Sequence, residues 1–222
     1  SEIVAAISAG MNVTTNSVAG SGKTTTIMHV GRGSLASGEG KNILVLTYNR
    51  KLRWETIRRS AEANIPMEIH TYHSFAVKYL STTCINDRGL ILSIDGDWRR
   101  ELPRWDLIVI DEAQDMTLLY FRLVRKLVES MPMIQYCIIG DDKQSIYDFN
   151  NADSRFILLA DRVFNSHIPW QKITLSTSYR VNDLNAAFVN KCLLGYEKIC
   201  AVVPGRYKPR YIIDNMFDPL VM

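Results

Sequence analysis

A chain of 222 residues that is 47% hydrophobic can bury one substantial core but hardly two large ones. Its net charge of +3 is too mild to imply nucleic acid by itself, and no 18-residue apolar run or basic-then-apolar leader suggests a membrane partner. Four cysteines (Cys84, Cys137, Cys192 and Cys200) lack CxxC spacing, which argues against a zinc knuckle or disulfide framework and for free thiols inside a cell, in the cytoplasm or a eukaryotic nucleus.

In chain order, Ile3, Val4 and Ile7 already read as helical, as if the sequence were cut from something longer. Short β-rich runs then alternate with amphipathic stretches. The strands expected are 12–18, 42–47, 67–70, 106–110, 134–140 and 172–175. The helices expected are 22–36, 50–63, 72–81, 115–130, 153–163 and 182–194. This alternation predicts an α/β fold with a parallel sheet covered by helices on both faces. The helix at 115–130 places Leu118, Leu119, Phe121, Leu123, Leu127 and Val128 broadly on one side. Gly89 and Gly96 with nearby charges mark 82–104 as a surface connection. Pro204, Gly205 and Pro209 lead into RYII at 210–213, expected to open another domain.

SVAGSGKT at 17–24, between a strand and a helix, has the chemistry of a phosphate-binding loop. Backbone N–H groups of Ala19, Gly20, Ser21, Gly22, Lys23, Thr24 and Thr25 would wrap a phosphate at the positive end of the helix. Lys23 would lie along the β/γ oxygens of ATP, and the Thr24 hydroxyl would hold Mg²⁺. Ser17 stands where the usual loop opens with Gly. The strand before it is unusually polar for a buried parallel strand, with Thr14, Asn16 and Ser17.

DEAQD at 111–115 follows the apolar run LIVI. Asp111 would contact Mg²⁺ and Glu112 would polarise the attacking water. Alone, such a pair is more often an exposed helix start; beside a phosphate loop it reads as a hydrolysis site. Tyr48, Tyr72, Tyr147 and Phe149 all follow expected strands, where α/β folds form ligand crevices. Aromatic faces beside a basic track (Arg50, Lys51, Arg53, Arg58, Arg59) suit single-strand binding. Core packing of the aromatics and a solvated helix face remain open for them. His70 and His73 lack a third metal ligand; hydrogen bonding from Thr71, His73 or Ser74 fits better.

AGSGKTTT, DEAQD, GDDKQSIYDF (140–149) and LSTSYR (175–180), in this order, resemble motifs of the UvrD/Rep-like superfamily 1 DNA helicases. LTYNRKL (46–52) and HTYHSF (70–75) are similar to that family's single-strand-binding motifs. The resemblance implies a P-loop NTPase with a RecA-like sheet: a first motor domain over 1–203, then a linker and the truncated start of a second RecA-like domain over 204–222. It implies that Gln144 senses the γ-phosphate and that Arg180 reaches it from the domain edge, both as ATP-binding and catalytic residues with Lys23 and Glu112. It also implies single-stranded DNA contacts at Tyr48, Asn49, Arg50, Thr71, Tyr72, His73, Tyr147 and Phe149, with RNA left open and the oligomeric state unread.

The expected activity is ATP-dependent 3′→5′ translocation. Three departures bear on it: only 35 residues (76–110) stand where the family carries a large insertion, no adenine motif precedes the phosphate loop, and motifs V and VI are missing. Weak hydrolysis by the 222-residue chain follows from the last. The rivals are a RecB/AddA-like helicase–nuclease, a kinase, and a regulatory module whose ATPase has decayed.

Overall fold

A computed structural model describes residues 1–36, 38, 40–144 and 153–210. The chain divides into two compact units, Ser1–Ser17 with Gly22–Leu175, and Val18–Ser21 with Ser176–Met222.

The first unit is an α/β layer structure. Its elements are α1 (Glu2–Ser8), β1 (Asn12–Ser17), α2 (Lys23–Ala36), β2 (Ile43–Thr47), α3 (Arg50–Glu62), β3 (Glu68–Thr71), α4 (Tyr72–Tyr79) and α5 (Asp87–Ser93). There follow β4 (Leu107–Ile110), a 3₁₀ turn (Ala113–Asp115), α6 (Leu118–Glu129), β5 (Gln135–Gly140), α7 (Arg155–Leu158), α8 (Ala160–Val163) and β6 (Trp170–Leu175). Six strands form one sheet in the order β3-β2-β4-β5-β1-β6, every pair parallel. Side chains alternate along each strand, so one sheet separates two cores. Leu44, Leu46, Ile108, Ile110 and Ile138 pack under α4, α5 and α6. Ile43, Val45, Leu107, Val109 and Ile139 pack with Ile3, Ile7, Ile27 and Val30 of α1 and α2.

The polar β1 is stitched to its surroundings. Thr14 donates to the Ile157 carbonyl at 3.1 Å and Ser17 to the Gly140 carbonyl at 2.7 Å. Asn16 accepts from the Asp142 N–H, and Asn12 both accepts from the Tyr136 N–H and donates to the Ile168 carbonyl. Each buried polar group named here has a partner, which removes most of its desolvation cost.

Four expectations change. The connection 82–104 contains α5, capped by Asn86 and burying Leu90; Cys84 and Ile94 join the same core. Its Gly89 is a close-packing residue, because an added Cβ would sit 1.8 Å from the Thr83 carbonyl oxygen. In α6 the buried stripe is Tyr120, Leu123, Val124 and Leu127, while Leu118 is 65% exposed. The helix expected at 153–163 breaks at Leu159, whose ψ of 26° leaves the helical region.

The second unit holds a two-stranded parallel pair of β7 (Thr177–Asn182) and β8 (Cys200–Val203), joined through α9 (Asp183–Phe188) and a π-helical turn (Val189–Leu194). That turn ends at Gly195 in the left-handed region. The expected helix 182–194 is this pair of segments, and both strands are additions to the sequence reading. Only Arg210 of the expected strand 210–213 is described.

Candidate nucleotide and nucleic-acid site

All six strands run the same way, so the segments after β1, β2, β3, β4 and β5 emerge at one sheet edge, where α/β folds bind ligands. Lys23 and Thr24 open α2, which presents its positive end there. Lys23 Nζ lies 2.6 Å from Glu112 Oε2, with both side chains mostly buried. Glu112 sits at φ 52°, a left-handed conformation uncommon for a residue with a Cβ. Strain of this kind persists where its surroundings hold it. Here the holding groups are Lys23 and Gln114, whose Nε2 donates to the same Glu112 oxygen at 2.7 Å. The 2% exposed Gln114 also accepts from the Asp141 N–H at 3.0 Å, tying the end of β4 to the end of β5. Gln144 Nε2 donates to Asp141 Oδ2 at 2.6 Å. Lys23, Glu112, Gln114, Asp141 and Gln144 are thus one hydrogen-bonded chain.

Asp111 is buried at the end of β4 and accepts from the Glu112 N–H at 3.0 Å. Burial, then the adjacent Glu112 charge, pushes its carboxyl up to about 7, against the pull of Lys23. Burial and Glu112 likewise raise Asp115 to about 6, and its Oδ1 is buried without a hydrogen-bond partner. Carboxyls crowded in this way suit a cation, which would offset the mutual repulsion. The Thr24 hydroxyl and Asp111 fit the donor set expected of Mg²⁺, a hard ion that prefers oxygen. No cluster of three His, Cys, Asp or Glu able to hold a metal occurs among the described residues.

In the second unit, Gly20 lies at φ 74° and packs against β7. An added Cβ there would fall 2.4 Å from Arg180 Cβ and 3.0 Å from Ser178 Oγ. Ser178 donates to the Ala19 carbonyl at 2.7 Å, and the Tyr179 N–H donates to the Gly20 carbonyl at 3.0 Å. Residues 19–21 and Arg180 are therefore neighbours, with Ser21 Oγ buried and without a hydrogen-bond partner.

A groove of about 660 Å³ in the first unit gathers Tyr48, Asn49, Arg50, Thr71 and His73 with Arg53, Trp54, Val77, Ile85 and Tyr120. Asn49 caps α3 by accepting from the Leu52 N–H, and Thr71 caps α4 in a reciprocal box with Ser74. His73 Nε2 pairs with Asp87 at 2.9 Å, and Tyr120 hydroxyl donates to the same oxygen at 3.1 Å. Tyr72 departs from expectation. It is 2% exposed, its ring stacks on Tyr120 with centroids 4.5 Å apart, and no base can reach its faces. Arg58 and Arg59 form same-helix pairs with Glu62 and Glu55, whereas Arg53 donates to the Ile69 carbonyl in the groove. Tyr147 and Phe149 lie outside the described residues. Trp54, Ile85 and Tyr120 are groove residues beyond the sequence expectations; of the three, Trp54 adjoins Arg53 of the basic track.

Two comparisons with known proteins bear on the family. The chain is 32% identical over 90 residues to the RecBCD enzyme subunit RecB of Escherichia coli (strain K12), a match covering 38% of this chain and 7% of that subunit. The chain thus spans a small part of this relative's length. A family model described as an AAA domain matches residues 1–150, and the chain belongs to that family, which is found in UvrD/Rep-like superfamily 1 helicases.

Proposed function

We propose that this chain is the ATP-binding motor domain of a DNA helicase that couples ATP hydrolysis to 3′→5′ movement on single-stranded DNA. The observation that carries the reading is the mostly buried Lys23–Glu112 pair at the start of α2, beside the buried Asp111. Residues 19–25 would bind the phosphates, and Lys23 would leave Glu112 for the β/γ oxygens. Thr24 and Asp111 would hold Mg²⁺, which when bound would supply neutralisation of phosphoryl charge. Released from Lys23 but still held by Gln114, Glu112 orients the attacking water. Gln144 and Arg180 respond to the γ-phosphate. Gln144 does so from the end of β5, where Asp141 and Gln114 connect it to Glu112.

The groove at Tyr48, Asn49, Arg50, Thr71 and His73 takes the single strand, with Tyr147 and Phe149 assigned to it by resemblance. On this reading, residues 1–203 correspond to the first RecA-like domain and 204–222 to the linker and start of a second. Among the described residues no helix is long and apolar enough to cross a membrane. The four cysteines are free thiols, which suits a reducing, intracellular setting. The RecB match favours, as a second reading, the motor of a helicase–nuclease.

The test is steady-state ATP hydrolysis, with and without single-stranded DNA, by the unsubstituted protein and by Lys23→Ala. Strand-stimulated turnover lost in Lys23→Ala is expected. Turnover indifferent to both DNA and the substitution refutes the proposal.

A further inference from the structure

We propose that Trp54, backed by Arg53, is a base-stacking residue at the rim of the groove, contacting single-stranded nucleic acid through its indole face. The inference rests on the single-strand reading above. Trp54 is 62% exposed on α3, whereas Trp105 lies in the core and Trp98 and Trp170 pack against it. An exposed tryptophan on a polar helix has no packing role to explain it, and large exposed apolar surfaces tend to mark binding sites.

The indole is also held in place. The Arg53 guanidinium carbon lies 5.2 Å from its ring centroid, and Arg53 Nε donates to the Ile69 carbonyl at 3.0 Å. The cation is anchored to β3 and steadies the ring by cation–π attraction. Ile85, 72% exposed, gives the same groove a second apolar surface.

Charge selects the occupant. Arg58 and Arg59 have carboxylate partners on their own helix, but among the described residues neither Arg50 nor Arg53 is in an ion pair. Apolar faces for bases, set beside cations for phosphates, are what sequence-tolerant single-strand binding needs. An apolar protein partner would leave both arginines without anions.

The test measures affinity of the chain for a labelled oligothymidylate and for the same oligomer with abasic sites, at fixed salt. Trp54→Ala is expected to weaken oligothymidylate binding about five- to a hundred-fold, and Trp54→Phe by less, because a ring remains. Neither changes abasic binding. Equal losses on both oligomers would make Trp54 structural, and no loss on either would assign it elsewhere; both outcomes overturn the inference. Should Trp54→Ala unfold, Trp54→Phe against Trp54→Leu decides the same question at similar bulk. If the unsubstituted chain binds neither oligomer, the single-strand reading fails, and this inference with it.

Discussion

Gln114 is the joint between the ends of β4 and β5, and Gln114→Ala measures what that joint is worth. The side chain makes a 2.7 Å bond to the Glu112 carboxylate and a 3.0 Å bond from the Asp141 N–H, in a site 2% exposed. A hydrogen bond to a charged group contributes about 1.5–3 kcal/mol and a neutral one about 0.5–1.5 kcal/mol, so the two sum to roughly 2–4.5 kcal/mol. The cavity left by the shorter side chain adds to this, and an expected loss of about 3 kcal/mol is a large share of a typical domain's stability. Urea unfolding of the chain at neutral pH gives the loss. A double-mutant cycle with Glu112→Ala isolates the shared bond, with a coupling of about 1 kcal/mol or more expected. A loss under about 0.5 kcal/mol with additive singles would refute the linkage and return Gln114 to ordinary core packing.

Two further predictions concern other parts of the chain. Glu68 Oε1 accepts from Lys78 at 2.7 Å and from Tyr79, and pairs with His70 at 2.9 Å. Burial alone would raise its carboxyl, but these hydrogen bonds outweigh it and hold the group below its ordinary 4.5. The folded chain then binds fewer protons there than the unfolded one, so the contribution is complete above 4.5 and fades as pH falls through the folded value. Glu68→Gln should be less stable than the unsubstituted chain at neutral pH, with the gap closing in acid; a pH-independent gap in unfolding midpoints would contradict this. Gly20→Ala combines φ 74° with a Cβ 2.4 Å from Arg180 Cβ. Fluorescent-nucleotide binding should fall at least about tenfold, since a backbone conformation that L side chains rarely adopt costs of order 1–3 kcal/mol before the collision is counted. Unchanged affinity would detach Gly20 from the site.

The strands of the sheet were legible because runs such as LIVI are buried on both faces, as a central parallel strand requires. The polarity of β1 was visible but not its reason, since Ile157 and Gly140, which accept from Thr14 and Ser17, lie far along the chain. The helix α5 was hidden by Gly89, which reads as a loop signal yet serves a close approach to Thr83. β7 and β8 are half-exposed, bulged and separated by a helix, so no alternation betrayed them. In the candidate site, Lys23 and Glu112 were legible from local motifs, whereas Tyr72 was misplaced because an aromatic after a strand can turn inward as easily as outward. Trp54, Ile85 and Tyr120 come together only once α3, α4 and α6 have packed.

On the proposed function, nucleotide at Lys23 and strand at the groove are energetically coupled. The deciding measurement is the affinity of the protein for an oligothymidylate, with and without a non-hydrolysable MgATP analogue. The analogue should shift this affinity at least about fivefold, the lower end of ordinary allosteric coupling, and Lys23→Ala should abolish the shift without abolishing strand binding. Identical affinities in the two nucleotide states, or a shift that survives Lys23→Ala, would contradict it.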